Sequence, residues 1–169
     1  MPLWNQDADK AAVTAQFNRH AVLFFFTHGK AEFADPLSSG LEMAGGSRLT
    51  LKEIQDLRSP CARLAVLAAC ETGLPSDLKA MDEGVSLPAG MMQAGVPGVI
   101  GTQWSVAEAS TAILISLFFE IWRKEGLEAP EALRRAQQLV RARGAQGFFE
   151  RHLIPHDVAY DYHVKMMSR

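Results

Sequence analysis

His28 and Cys70 are the residues whose type and setting best suit nucleophilic chemistry in this chain of 169 residues. Each comes at the end of an apolar run. Phe24–Gly29 reads F-F-F-T-H-G, and Ala65–Gly73 reads A-V-L-A-A-C-E-T-G. A thiol attacks only as thiolate, and an adjacent imidazole can take its proton. Gly29, which lacks a Cβ, lets a substrate approach the backbone closely. The backbone N–H groups of Gly29 and Cys70 are then candidates for an oxyanion hole. A plainer reading stands beside this one. Free cysteine is among the most buried residue types, and a histidine ending a strand is often only a hydrogen-bonded structural group.

The elements around these residues decide whether they can meet. Ala21–Phe26 (A-V-L-F-F-F) and Arg63–Ala69 are continuous apolar runs without alternation, as expected of strands buried on both faces of a parallel sheet. Val96–Gln103 is a third strand candidate, with Pro97 near its start. Residues 7–19 suit a short helix, and Leu41–Thr50 a hairpin turning at Gly45–Gly46. Thr50 and Glu53 form a capping box that starts a helix through about Leu57. Pro88 suits the first turn of a helix over Ala89–Ala94.

Ser105 and Glu108 form a second capping box, opening a helix to about Lys124 whose Ile113, Leu114, Leu117, Phe118, Ile121 and Trp122 make one apolar face. Pro130 starts another helix, ending at Gly144. This alternation implies an α/β sheet with parallel crossovers. In such sheets ligands bind outside the carboxyl ends of the strands. His28 stands two residues past the first strand and Cys70 directly ends the second. If those strands are neighbours, both side chains leave the same edge. Three core strands are fewer than usual, so either a further strand hides in a weak segment or part of the fold is missing.

Composition narrows the function classes. With 48% hydrophobic and 21% charged residues, the chain can build one domain over residues 1–169. A net charge of −2 points away from a general nucleic-acid binder. Arg134, Arg135, Arg141 and Arg143 read as a solvated helix face. Cys61, after a proline in a loop, and Cys70 make no disulfide framework and fit a reducing cytoplasm. No signal peptide or membrane-spanning run is visible, and the expected location is cytoplasmic. Neither G-x-x-x-x-G-K-[ST] nor G-x-G-x-x-G follows a strand, which argues against a nucleotide site. Residues 150–169 form an atypical tail with His152, His156 and His163. Pro155 breaks any helical spacing for the first pair, so no metal is expected there, and a frayed or partner-docked tail is the better reading.

The blocks F-F-F-T-H-G, L-T-L-K-E-I, L-A-V-L-A-A-C-E-T-G, D-E-G and L-P-A-G-M-M-Q-A-G-V-P-G-V-I-G-T-Q-W-S-V occur in that order. Together they resemble the CHAT-type, caspase-like cysteine peptidases, from about Phe17 to Arg143. The resemblance implies a caspase-like three-layer α/β/α sandwich with a mostly parallel sheet, here without the family's first strand and helix. It also implies thiol-dependent peptide-bond hydrolysis with no cofactor or metal, on a protein or peptide substrate. The family's catalytic histidine matches His28 and its nucleophile matches Cys70. Glu71, next on the strand, should point away from the thiol and anchor the loop. Asp82 and Glu83 match the family's acidic pair, which lines a substrate pocket or braces a loop. Trp104 either walls a substrate cleft or packs beneath the following helix. Any regulator must be a separate protein, or self-association must complete the sheet. The competing expectation is a caspase-like interaction module without catalysis.

Overall fold

The computed structural model describes residues 3–32, 34–59, 61–68, 86–104, 106–143 and 163–167. Strands are β1 (Leu3–Trp4), β2 (Val22–Phe26), β3 (Gly29–Lys30), β4 (Gly40–Glu42), β5 (Arg48–Thr50), β6 (Leu64–Ala68), β7 (Val99–Gly101) and β8 (His163–Met167). Helices are α1 (Lys10–Gln16), α2 (Leu51–Asp56), α3 (Leu87–Gln93), α4 (Glu108–Glu125) and α5 (Ala129–Arg143). The described chain divides into two compact units, residues 1–105 with 162–169, and residues 106–161.

The first unit holds a five-stranded sheet in the order β1-β8-β2-β6-β7. Its centre is parallel: β2 pairs with β6 from Val22↔Leu64 to Phe26↔Ala68, and β6 pairs with β7. All five β6 residues are buried, which is why its sequence shows no alternation. Leu23, Phe25, Ala65 and Leu67 share one core with Val13 and Phe17 at α1, Leu51 and Ile54 of α2, and Leu87 and Met91 of α3. The fold is therefore mixed α/β, with a parallel three-strand centre flanked by helices, in keeping with the caspase-like α/β/α class.

Local signals in the sequence account for most element boundaries. The capping box at α2 is complete: the Thr50 hydroxyl accepts from Glu53 N–H, and the Glu53 carboxylate accepts from Thr50 N–H. The Lys10 ammonium, 2.8 Å away, and the Thr50 N–H hold the Glu53 carboxyl below its usual range. The Ser86 hydroxyl caps α3, with Pro88 in its first turn. The hairpin between β4 and β5 turns at Gly45 and Gly46, whose φ values of 73° and 72° lie in the left-handed region that glycine tolerates.

Three expectations change. A first strand and helix are expected to be missing before the histidine strand, but β1 and α1 precede β2, and β1 joins the main sheet through β8. His163–Met167, within the tail expected to fray or dock on a partner, forms β8 and runs antiparallel to β2, Val22 facing Met167 and Phe26 facing His163. This is the strand hidden in a weak segment. The helix after β7 starts at Glu108 with Ala107 at its cap and no side-chain cap bond, so Glu108 is its first residue rather than the third position of a box. Ser105 lies outside the described residues, as do Gly144, His152 and His156.

In the second unit, α4 and α5 pack on each other. Ile113, Ile115, Phe118 and Ile121 of α4 and Ala132 and Ala136 of α5 are buried. Ile115 joins this apolar set, while Leu114 and Leu117 are only half-buried. Arg134 bonds Glu131, and Arg135 bonds Glu125 across the helix pair, so these arginines carry intramolecular ion pairs on exposed surface. No described helix is long and apolar enough to cross a membrane.

Beside the main sheet, β3, β4 and β5 form a small antiparallel sheet. Its middle strand begins at Gly40 because no larger residue fits. A Cβ there would lie 2.3 Å from the Leu49 carbonyl oxygen and 2.9 Å from Arg48 Cγ. Gly40→Ala forces the β4–β5 ladder apart and is expected to cost about 1–3 kcal/mol. Thermal unfolding followed by circular dichroism should show a fall of roughly 2–4 °C per kcal/mol. An unchanged midpoint would contradict the clash.

Candidate functional site

Phe26 and Ala68 are the last residues of β2 and β6 and face each other in register. Both strands therefore leave the sheet side by side at one carboxyl edge. The β6 strand is described as far as Ala68, and Ala69, the last residue of the expected strand, lies outside the described residues. Thr27 and His28 follow β2 at that edge. Cys70 follows β6 by two residues in sequence and lies outside the described residues, as do Glu71, Asp82 and Glu83.

The backbone that carries His28 is fixed from one side by β4. The buried Thr27 hydroxyl donates to the Glu42 carbonyl at 2.6 Å. Glu42 N–H donates to the His28 carbonyl at 2.8 Å. These two bonds hold Thr27–His28 against one residue of β4, while the His28 side chain is left exposed. The second bond also makes the facing pair Gly29–Leu41 a non-hydrogen-bonded pair of the ladder, so the Gly29 N–H is directed away from β4. That is a requirement for a backbone donor that is to serve a ligand.

Charge gathers just beyond. The Glu32 carboxylate receives Lys30 Nζ at 3.0 Å and Arg48 Nη1 at 3.0 Å. Lys30 first, then Arg48, holds its carboxyl below the usual range. Arg48 also donates to the Ser38 carbonyl at 3.3 Å, and Glu32 N–H donates to the Ser39 hydroxyl at 2.9 Å. The stretch after β3 is thus tied back onto β5.

Trp104, just past β7, is 66% exposed and is not a core residue. His20, after the turn that ends α1, is buried, with Nε2 3.3 Å from Gln16 Oε1. Burial first, and the nearby Arg19 charge, lower its pKa. Cys61 is a free, exposed thiol in a turn. Among the described residues no group of three or more His, Cys, Asp or Glu side chains could hold a metal ion.

The sequence pattern singled out His28 and Gly29 but passed over Thr27 and Glu42. Their signal is faint: a threonine closing an apolar run, and one acid between Leu41 and Met43 in a hairpin strand. Only the pairing of β3 with β4 joins them. In comparison with known proteins, the family model of the CHAT domain matches residues 2–152. No curated protein matches the chain.

Proposed function

This chain belongs to the CHAT domain family, a caspase-like and usually peptidase-related family, and from that premise we propose that it is a cysteine endopeptidase. Cys70 is its nucleophile and His28 its general base. The observation that carries this reading is the register of the two strands. Phe26 and Ala68 are paired parallel neighbours, and His28 and Cys70 each follow that pair by two residues of chain.

The His28 imidazole takes the Cys70 proton, and the thiolate attacks the scissile carbonyl carbon. The carbonyl oxygen becomes an oxyanion, for which the N–H groups of Gly29 and Cys70 are the proposed donors. Collapse of this intermediate breaks the C–N bond, and the imidazolium gives its proton to the departing amine. Water then hydrolyses the thioester with His28 again as base, returning the free thiol. Trp104, exposed past β7, is proposed to wall the substrate cleft, and Asp82 and Glu83 to line it. The substrate is a protein or peptide. A separate regulatory protein, or a second copy of the chain, is the proposed controlling partner.

A thiol-reactive peptidyl probe tests the assignment. Labelling should be lost in Cys70→Ala and kept in Cys61→Ala, which removes the chain's other cysteine. Equal labelling of the two variants would overturn the peptidase reading and leave a non-catalytic interaction module in its place.

A further inference from the structure

We infer that Glu42 is a positioning residue for the His28 imidazole, a carboxylate across the strands that holds the ring with its Nε2 lone pair available. The inference rests on the peptidase reading of His28. In the small sheet, Gly29 faces Leu41, and Leu41 faces Leu49. Leu41 and Leu49 are buried in the core, so that row points inward. The adjacent row, Glu42 facing Arg48, therefore points to the opposite face. His28, one residue before Gly29 and bonded through its carbonyl to Glu42 N–H, continues that outward row. Directly opposed residues of an antiparallel pair have Cβ atoms about 5 Å apart, within reach of a glutamate and an imidazole.

The natural competitor for Glu42 is its other cross-strand neighbour, Arg48. Its Nη1 is directed to Glu32 at 3.0 Å and to the Ser38 carbonyl, and its Nε is buried, so the guanidinium is turned toward that side rather than toward Glu42. The Glu42 carboxylate makes no hydrogen bond or ion pair among the described residues. Its backbone, in contrast, is clamped to Thr27 and His28 by the bonds of 2.6 and 2.8 Å. The carboxylate therefore has no partner among the described residues to give up in turning toward the ring across the strands. In the arrangement inferred for the working enzyme it accepts the Nδ1–H of His28, which selects that tautomer and leaves Nε2 to receive the thiol proton.

The test compares wild type, Glu42→Gln and Glu42→Asp by two readouts. In peptide cleavage, Glu42→Gln should lower kcat about fivefold with KM unchanged, the scale of one exposed charged contact. Glu42→Asp should recover most of it. Independently, the ¹⁵N shifts of the His28 ring report its tautomer. Glu42→Gln should reduce the Nδ1–H population, and Glu42→Asp should retain it. An unchanged tautomer in Glu42→Gln, or equal impairment in both variants, would overturn the inference. If wild type cleaves no peptide, the peptidase reading falls, and the tautomer measurement still decides the role of Glu42.

Discussion

His28→Ala is expected to lower kcat/KM for peptide cleavage by about 10²–10⁴-fold without changing the thermal unfolding midpoint. The two halves of this result separate a catalytic group from a structural one. The His28 side chain is exposed at the end of β2, and two bonds that do not involve the ring help to fix its backbone: its carbonyl to Glu42 N–H, and the neighbouring Thr27 hydroxyl to the Glu42 carbonyl. Removing an exposed ring leaves those bonds intact, so stability should change by no more than about 0.5 kcal/mol. Activity falls because a thiol without a base is mostly protonated near neutral pH.

The pH dependence gives the mechanism a sign. The remaining activity of His28→Ala should rise as the medium is made alkaline, toward about pH 8.5, where an ordinary cysteine ionises unaided. Steady-state kinetics on a peptide substrate from pH 6 to 9 would show it. A variant retaining wild-type kcat/KM would remove His28 from the mechanism.

Phe25→Ala is expected to cost about 3–5 kcal/mol, a large part of the roughly 5–15 kcal/mol that holds a domain together. Phe25 is fully buried in the middle of the sheet, facing α1, α2 and α3, with its ring centroid 6.5 Å from that of Phe17. Truncation forfeits the burial of a whole ring. It also leaves a cavity between sheet and helices that the paired strands β6 and β8 on either side of β2 keep from collapsing. The unfolding midpoint should drop by roughly 10 °C. Phe25→Leu, which keeps much of the volume, should cost only about 1.5 kcal/mol. Phe25 lies three residues before His28, so its loss should also reduce activity at temperatures where the chain is still folded, by loosening the strand that sets the edge. Urea titration of both variants checks the energies, and equal midpoints for Ala and Leu would contradict the cavity argument.

Much of the fold is legible in the chain because much of it is local. The apolar runs at Val22–Phe26 and Leu64–Ala68, the Thr50–Glu53 box, Pro88 in a first turn and Gly45–Gly46 in a hairpin each act within a few residues. The second capping box misled, since Ser105–Glu108 has the right spacing, yet the backbone turns helical only after Ala107. Capping chemistry permits a start; the strand that precedes it, β7, determines where the chain arrives. The strand β8 was missed for a related reason: His163–Met167 carries no long apolar run and owes its place to the open side of β2.

At the site the same division holds. By itself the sequence determined that an apolar run ends in Thr27-His28-Gly29 and another in Cys70, because hydrophobicity and residue type are written along the chain. Only the tertiary structure decided that β2 and β6 are parallel neighbours in register, that β4 clamps the His28 backbone through Glu42, and that Glu32 draws Arg48 aside. Those facts depend on which residues meet across separations of 10 to 42 positions in the chain, and the energy of such pairing comes from burial of the common core rather than from any short stretch of residues.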